Sequence, residues 1–430
     1  MEAVEENVVH TDGLNLHFIH NKKYKTINIV VKLKASLERD TITKRALLPY
    51  ILQQGTLNYP GKKELQRKLD DLYGAVLSVD GSKKGEQHII SFRLEVPNEK
   101  FIPDESKIVE ESISLLSELL FNPNAENDAF NQKVVKREKD TLKQKIHAIK
   151  DDKMSYANMR LIDEMCKGEA YALHVHGYQE DLEEITPENL YTYYKKAISE
   201  DQLDVYVQGD FDEETLKQQL VAKLKREQVN TQATQVSPTN KNNSGELTEV
   251  VEKENIQQAK LHIGYRTNCT YHDDEYFALQ VFNGMFGGFP SSKLFINVRE
   301  KNSLAYYASS RLESQKGLLI VFSGIAPKDY EQARDIMNEQ LEAMKKGDFT
   351  DEELEETKDL IVNQLRETMD HPQGLVELLY QQVLAGKERT PEQLIKGIKA
   401  VNREQVISAA EKVEADTLYL LTSKDGETNE

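Results

Sequence analysis

The sequence lacks tryptophan altogether and contains only two cysteines, Cys166 and Cys269. Two thiols, one in each half of the chain, are too few for a disulfide framework and are typical of proteins from a reducing compartment. There is also no basic N-terminal region followed by an apolar run, and no segment with the ~20 apolar residues of a membrane span. We therefore expect a cytoplasmic protein that has no contact with a membrane.

Basic residues are in deficit, because 55 Lys and Arg stand against 73 Asp and Glu and give a formal net charge of -18. Phosphate backbones are bound through clustered Lys and Arg, so this balance disfavours nucleic acid as a partner. The remaining composition, with 39% hydrophobic and 30% charged residues among 430, is that of a folded globular protein. At ~150 residues per domain, the length predicts two or three domains.

One segment divides the chain near its middle. Residues 229–246 are rich in Asn, Thr, Gln and Ser and have no apolar periodicity, which is typical of a flexible linker. We predict a first half at 1–228 and a second half at 247–430. Residues 181–190 and 397–406, offset by 216 positions, share their apolar spacing and a Glu. Each of these two segments leads into a helical pattern and then an apolar strand, which favours a duplicated domain.

Within each half, strand patterns come first, helical patterns follow, and an apolar strand ends the half. Alternating apolar runs bounded by turns predict strands, and apolar residues at helical spacing predict helices. The predicted strands are 26–33, 75–79, 88–96, 203–207, 260–265, 305–309, 318–323 and 418–421, and the predicted helices are 106–121, 128–149, 274–285, 329–346 and one from residue 350. This order predicts an α+β fold of two homologous halves, each an antiparallel sheet with helices packed on one face.

The most specific motif lies in the second half. Residues 287–306 read GGFPSSKLFINVREKNSLAY, and residues 347–355 read GDFTDEELE, the start of a capped helix. The first run resembles the signature G-G-x-x-S-S-x-L-F-x-x-x-R-E-x-x-x-L-A-Y of the insulinase/pitrilysin family of zinc metallopeptidases, which includes the mitochondrial processing peptidases. The resemblance extends over essentially the whole chain and implies two homologous α+β halves joined by a linker.

Two residues of this motif, Arg299 and Tyr306, are candidates for substrate binding. The resemblance implies that they hydrogen-bond the main chain of a peptide held at the catalytic half. A guanidinium offers five N–H donors and a phenol one O–H, so the pair is chemically suited to peptide carbonyls. Without the motif, an Arg on a helix surface and a Tyr packed in a strand would be the simpler interpretation.

The zinc motif of the family is missing from the first half. Family enzymes carry H-x-x-E-H on a helix, where two His bind zinc and the Glu activates the bound water. With residues 55–56 as the Gly-Thr landmark that follows the motif, these positions fall on Ala46, Pro49 and Tyr50. The third ligand, a Glu on a later helix, falls on Lys145. None of these side chains is suited to zinc, so we expect neither a catalytic residue nor a metal ligand in this chain.

Other candidate sites are weaker. The close His pairs, His174 with His176 and His17 with His20, lack a further well-placed carboxylate or Cys, so packing is the better interpretation. The glycines at 284–288 end a helical pattern and are not followed by the Lys-Ser/Thr of a phosphate-binding loop.

The resemblance therefore implies a non-catalytic subunit that binds peptide or unfolded polypeptide beside a zinc-bearing paralogue. Zinc is expected only in that partner chain. A heterodimer suits this split, and a homodimer remains open. Two alternatives also remain: an active zinc metalloendopeptidase with an unrecognised metal site, and a purely structural scaffold.

Overall fold

The computed structural model describes residues 4–11, 13–103, 107–226 and 247–424. The chain forms two compact units, the first composed of Met1–Ala148 and Leu173–Gln235 and the second of Ile149–Ala172 and Val236–Glu430. The predicted linker at 229–246 lies outside the described residues. The segment Ile149–Ala172 belongs to the second unit, although it precedes the linker and the predicted boundaries place it in the first half.

The first unit is built on a large sheet. Its strands are β1 (Glu6–Thr11), β2 (Leu14–His20), β3 (Thr26–Ser36), β4 (Val76–Lys84), β5 (Gln87–Pro97), β6 (Ala125–Glu126), β7 (Ala129–Phe130) and β8 (Gln202–Gly209). Six of them follow the order β1-β2-β8-β3-β5-β4, and β6 pairs separately with β7. Neighbours in the large sheet are antiparallel except β2 and β8, which are parallel.

Helices cover one face of this sheet. The helices that precede the linker are α1 (Ile42–Leu52), α2 (Lys62–Asp71), α3 (Ile108–Phe121), α4 (Gln132–Asp151), α5 (Lys153–Met165), α6 (Pro187–Glu200) and α7 (Glu213–Leu224). Of these, α5 belongs to the second unit. Because side chains alternate along a strand, every second residue of β3 points to the same side. Ile29, Val31 and Leu33 of β3 thus share one buried core with Leu47 of α1 and Leu116 of α3.

The second unit has a smaller sheet with the same plan. Its strands are β9 (Thr248–Glu254), β10 (Ala259–Arg266), β11 (Ala305–Glu313), β12 (Leu318–Ile325) and β13 (Glu414–Ser423), in the order β11-β12-β10-β13-β9. Its helices after the linker are α8 (Tyr276–Asn283), α9 (Tyr330–Lys345), α10 (Asp351–Asp370), α11 (Pro372–Ala385), α12 (Pro391–Ala400) and α13 (Arg403–Glu411). Two π-helical segments, Gly284–Gly288 and Phe295–Lys301, lie between α8 and β11. None of the helices in the described ranges combines the length and apolar composition needed to span a lipid bilayer.

Strand order confirms the duplication. Followed from β2, the neighbour of the edge strand β1, the first sheet runs β2-β8-β3-β5-β4. Followed from its edge strand β9, the second runs β9-β13-β10-β12-β11. In both sheets the first pair is parallel and the other pairs are antiparallel. The predicted α+β class with two homologous, mostly antiparallel halves is therefore confirmed.

The two matching sequence segments are helix starts. Thr186 caps α6 by accepting from the amide of Asn189, whose side chain accepts from Thr186 in return, and Asn402 and Gln405 make the same reciprocal contacts at α13. These capping boxes fix where each helix begins. Because each helix then leads into an inner strand, β8 or β13, that pairs in parallel with its neighbour, the sequence match marks equivalent points of the two halves.

Helix α5 covers the other face of the second sheet. Leu161 of α5 lies in one buried cluster with Ile320 of β12 and Tyr419 of β13. A Cβ added at Gly264 of β10 would lie 2.5 Å from the sulfur of Met165, so a glycine allows this close approach. The second sheet is thus packed on both faces, with α8, α9 and α13 in the core on the opposite side.

Candidate functional site

Helix α1 places the positions expected for zinc ligands. Ala46 and Tyr50 are four residues apart and therefore lie on one helix face, as two His ligands would. Ala46 is buried, Pro49 is buried within the helix, and Tyr50 is partly exposed. Alanine and proline side chains have no donor atom for a metal ion, so the helix is retained without the chemistry of the motif.

A buried arginine anchors α1 to the sheet. The Nη1 of Arg45 lies 2.6 Å from a carboxylate oxygen of Asp201, which follows α6. Its Nη2 donates to the carbonyl oxygens of Leu33 at 2.9 Å and His88 at 3.1 Å, and its Nε donates to Nδ1 of His88 at 3.2 Å. These contacts tie α1 to β3, β5 and the end of α6. Sequence analysis did not identify this network, although a charged residue inside the apolar run of α1 was an available signal.

The same network fixes the tautomer of His88. Because Nδ1 of His88 accepts from Arg45, its Nε2 carries the proton and donates to the carbonyl oxygen of Val175 at 3.3 Å. Burial and the positive charge of Arg45 lower the pKa of His88 to about 3. His88 is therefore neutral at physiological pH.

Pro49, at the position of the catalytic Glu, lies against the sheet. A Cβ added at Gly81 of β4 would lie 3.0 Å from Cε1 of His88 and 3.8 Å from Cγ of Pro49. The ring of Pro49 and the imidazole of His88 thus both lie close to the α-carbon of Gly81. No carboxylate occupies this position to act as a general base.

Lys145, at the position of the third ligand, is an exposed residue of α4. It lies close enough to His176 that its ammonium, after burial, helps to lower the pKa of that imidazole to about 4. Lys83 of β4 donates to the carbonyl oxygen of Leu173 at 3.1 Å. Lys83 of β4 and His88 of β5 thus hold the 173–176 loop against the end of the first sheet.

The two His pairs make other contacts. His174 stacks on Tyr178 with ring centroids 4.8 Å apart, and His17 stacks on Tyr206 at 4.1 Å. His20 bonds Glu213 at 2.9 Å. Among the residues that the structure describes, no group of three or more His, Cys, Asp and Glu is arranged to hold a metal ion.

Arg299 lies in the second π-helical segment of the second unit. Its guanidinium is centred 4.5 Å from the ring of Phe295, and its Nε is 3.8 Å from a carboxylate oxygen of Glu300. The side chain remains 42% exposed. Stacking on the ring orients the guanidinium while leaving N–H donors open to solvent.

Tyr306 lies at a bulge in the edge strand β11. The pairing of β11 with β12 is irregular between Ala305 and Tyr307, where one extra residue enters β11. A bulge redirects the side chain of the inserted residue. Tyr306 is 74% exposed, so its phenol points into solvent instead of into the core.

Glycine is required where the first π-helical segment meets β11. A Cβ added at Gly287 would lie 2.5 Å from Oγ and 2.8 Å from the backbone nitrogen of Ser310. Only a residue without a side chain permits this contact. Gly287 therefore sets the position of the strand that carries Tyr306.

The comparisons with known proteins agree with this architecture. A family model described as "Peptidase M16 inactive domain" matches residues 184–361. The chain is 48% identical over 426 residues to the "Probable inactive metalloprotease YmfF" of Bacillus subtilis strain 168, covering 99% of this chain and all of that protein.

Two solved structures have the same fold. A conserved protein from Enterococcus faecalis V583 is 34% identical, with a TM-score of 0.91 over 99% of this chain and 100% of that one. A peptidase M16 inactive domain from Pseudomonas fluorescens is 15% identical, with a TM-score of 0.81 over the same shares of the two chains, a likeness of fold alone. With a relative that is nearly half identical over the full length, the chain belongs to the peptidase M16 family, the insulinase/pitrilysin family that its sequence resembles.

Proposed function

We propose that this chain is a cytoplasmic, non-catalytic M16 protein that binds peptide or unfolded polypeptide as the heterodimeric partner of a zinc-bearing paralogue. One observation carries the proposal. The first unit keeps the helix of the zinc motif but has Ala46, Pro49 and Tyr50 at the motif positions, whereas the second unit keeps Arg299 and Tyr306 as exposed donors.

The residues of α1 and α4 do not fit a zinc ion. Structural and catalytic zinc sites use at least three Cys, His or carboxylate ligands. The four aligned positions offer a methyl group, a proline ring, a phenol and the ammonium of Lys145, which repels a divalent cation. We therefore assign zinc to the partner chain. The name of the Bacillus subtilis relative, a probable inactive metalloprotease, supports the absence of a catalytic site from this chain.

Extended polypeptide is the ligand class that suits the second unit. Tyr306 belongs to β11, which ends the order of the second sheet. An edge strand offers main-chain N–H and C=O groups that pair with an added strand. The N–H donors of Arg299 and the O–H of Tyr306 lie at the start of this edge and would bind the carbonyl groups of such a strand.

The test begins with purification of the chain from its own cells, to identify a co-purifying H-x-x-E-H protein and to measure zinc in each component. Cleavage of a fluorogenic peptide by the complex is then measured with Arg299→Gln and Tyr306→Phe. We expect turnover to fall about tenfold and about threefold, respectively, because each variant removes a hydrogen bond to substrate. Arg334→Gln is the matched control, since Arg334 also lies over an aromatic ring, Tyr330, in the second unit.

Two outcomes would contradict the proposal. Unchanged turnover in an intact complex carrying Arg299→Gln would favour the structural scaffold. Stoichiometric zinc in the purified chain alone, with peptide cleavage that a chelator abolishes, would establish an independent metalloendopeptidase.

A further inference from the structure

Strand β9 forms an edge of the second sheet whose counterpart in the first sheet is covered. There the equivalent strand, β2, pairs on its outer side with β1, and the two strands are antiparallel. The second sheet ends at β9, and no strand in the described part of the chain takes the place of β1. An edge strand presents main-chain N–H and C=O groups that can pair with a strand of another molecule. The duplication therefore identifies a place for one further antiparallel strand.

The outward main-chain groups of β9 belong to Glu249, Val251 and Lys253. The carbonyl oxygen of Glu254 accepts from the amide of Lys424, on the side of β13. Because main-chain groups alternate between the two sides of a strand, every second residue before Glu254 faces β13 and the residues between them face outward. The pairing of β9 with β13 has no register shift, so the outward row is unbroken.

The side chains of β9 form two rows with different surroundings. In one row, Glu252 bonds Arg160 of α5 at 2.7 Å, and Val250 packs against the apolar cluster that contains α5. This row secures β9 to its own unit. The other row is exposed and consists of the three residues with outward main-chain groups. Val251, at its centre, is 52% exposed.

The exposed row is complementary in charge to itself. When two copies of β9 lie antiparallel with Val251 opposite Val251, Glu249 of each copy lies opposite Lys253 of the other. Lys253 forms no ion pair with the residues that the structure describes, and the Arg334 nitrogen nearest to Glu249 is 4.0 Å away. Opposite charges placed across two strands stabilise their pairing, whereas like charges oppose it. A register centred on Glu252 would place that carboxylate opposite its own copy, so the register centred on Val251 is favoured.

We infer that two copies of this chain form a dimer with two-fold symmetry, in which their β9 strands pair antiparallel around Val251. The outward N–H and C=O groups of the exposed row then bond the same residues of the second copy, and the two five-stranded sheets become continuous. A two-fold contact requires a self-complementary surface, which the charges of Glu249 and Lys253 provide. The inference is independent of the proposed function, because β11, where polypeptide would bind, is the opposite edge of the sheet.

Sedimentation velocity of the full chain over a series of concentrations measures the dissociation constant of the dimer. We expect Lys253→Glu to raise this constant about tenfold, because it replaces both symmetry-related attractive pairs by repulsive ones. Adding Glu249→Lys to the same chain reverses both charges and makes them complementary again. The double variant should therefore return to within about threefold of the wild-type constant.

Lys399→Glu is the matched control, because it makes the same charge change at an exposed lysine of α12. It should leave the dissociation constant unchanged. Val251→Pro tests the main-chain bonds, since it removes an outward N–H that makes no bond to β13. A proline is tolerated on an edge strand when its N–H side faces solvent. We expect this variant to keep the circular dichroism of the wild type and to be monomeric.

Three outcomes would overturn the inference. The first is a chain that stays monomeric up to its solubility limit. The second is a dimer that is insensitive to Lys253→Glu or is weakened equally by Lys399→Glu. The third is a double variant that associates no better than Lys253→Glu alone. A chain that is monomeric by itself and associates only with a zinc-bearing paralogue would remove this inference and leave the proposed function intact.

Discussion

At the residue scale, Arg45 explains how α1 keeps its position without a metal ion. In a zinc enzyme, ligands on a helix also tie that helix to the rest of the site. Here Arg45 is 1% exposed and bonds a carboxylate, two main-chain carbonyl oxygens and an imidazole from three different elements. A buried arginine is tolerated only when its donors are satisfied in this way.

The pKa of His88 predicts a pH dependence of stability. Its pKa is about 3 in the folded protein and 6.5 without these surroundings, so the unfolded chain takes up the proton first as the pH falls. The stability that neutral His88 contributes is complete above pH 6.5 and is lost progressively toward pH 3. We expect His88→Gln, which cannot be protonated, to reduce the slope of the unfolding free energy between these limits by roughly 1.4 kcal/mol per pH unit.

Urea unfolding at a series of pH values measures this slope. His20→Gln, which removes an imidazole of β2 that is 45% exposed, is measured alongside it for comparison. A slope in His88→Gln equal to that of the wild type would show that His88 is not the group that titrates.

At the scale of elements, the two π-helical segments and β11 pack together and carry both proposed substrate-binding residues. The first segment packs on β11 through Gly287, and the second carries Arg299. A turn at Ser303, whose φ is 54°, leads from the second segment into β11. π-helical segments and bulges are both frequent at functional sites because they redirect side chains.

Substitution of Gly287 should therefore act on Tyr306 at a distance. A methyl group at this position collides with backbone and side-chain atoms of Ser310 and with Leu294, so β11 must move. We expect Gly287→Ala to lower the unfolding free energy by about 1–3 kcal/mol. The protein that remains folded should also bind peptide more weakly than the wild type. Gly61→Ala is the control, because an added Cβ there meets only the flexible carboxylate of Glu64. Wild-type stability and binding in Gly287→Ala would contradict the packing argument.

At the scale of the whole molecule, neither unit corresponds to one continuous half of the sequence. The segment Ile149–Ala172 completes the second unit, where Glu169 lies 2.7 Å from both Arg266 and Lys316. These cations lower the pKa of Glu169 despite its burial. The ion pairs hold the segment that follows α5 to β10 and to the turn before β12.

Removal of the Glu169 charge should weaken the second unit selectively. Glu169→Gln leaves two largely buried cations without this partner, and we expect a loss of about 3–5 kcal/mol in unfolding free energy. Hydrogen exchange of the β10 and β12 amides should rise together with that loss. Glu164→Gln, which breaks a more exposed pair with Arg160, should cost less than about 1 kcal/mol. Equal effects of the two variants would mean that Glu169 does not secure the segment.

Much of the fold was predictable because its signals are local. Alternation along β3 and β5, the reciprocal caps at α10 and α13 and the repeated helix starts can all be recognised from residues a few positions apart. The predicted strand at 75–79 ends five residues too early, because β4 runs from Val76 to Lys84. Strand ends depend on pairing with a neighbour, which local patterns do not specify.

The sequence by itself determined which chemistry is missing, since a zinc site of this family depends on residue types, and Ala46, Pro49 and Tyr50 replace its two imidazoles and its carboxylate. It also determined the duplication, because the same local patterns recur. Only the tertiary structure decided that Ile149–Ala172 packs in the second unit, that Arg45 and His88 anchor α1, and that a bulge exposes Tyr306. Each of these features depends on contacts between residues far apart in the chain, and such contacts form only when the whole sheet is assembled.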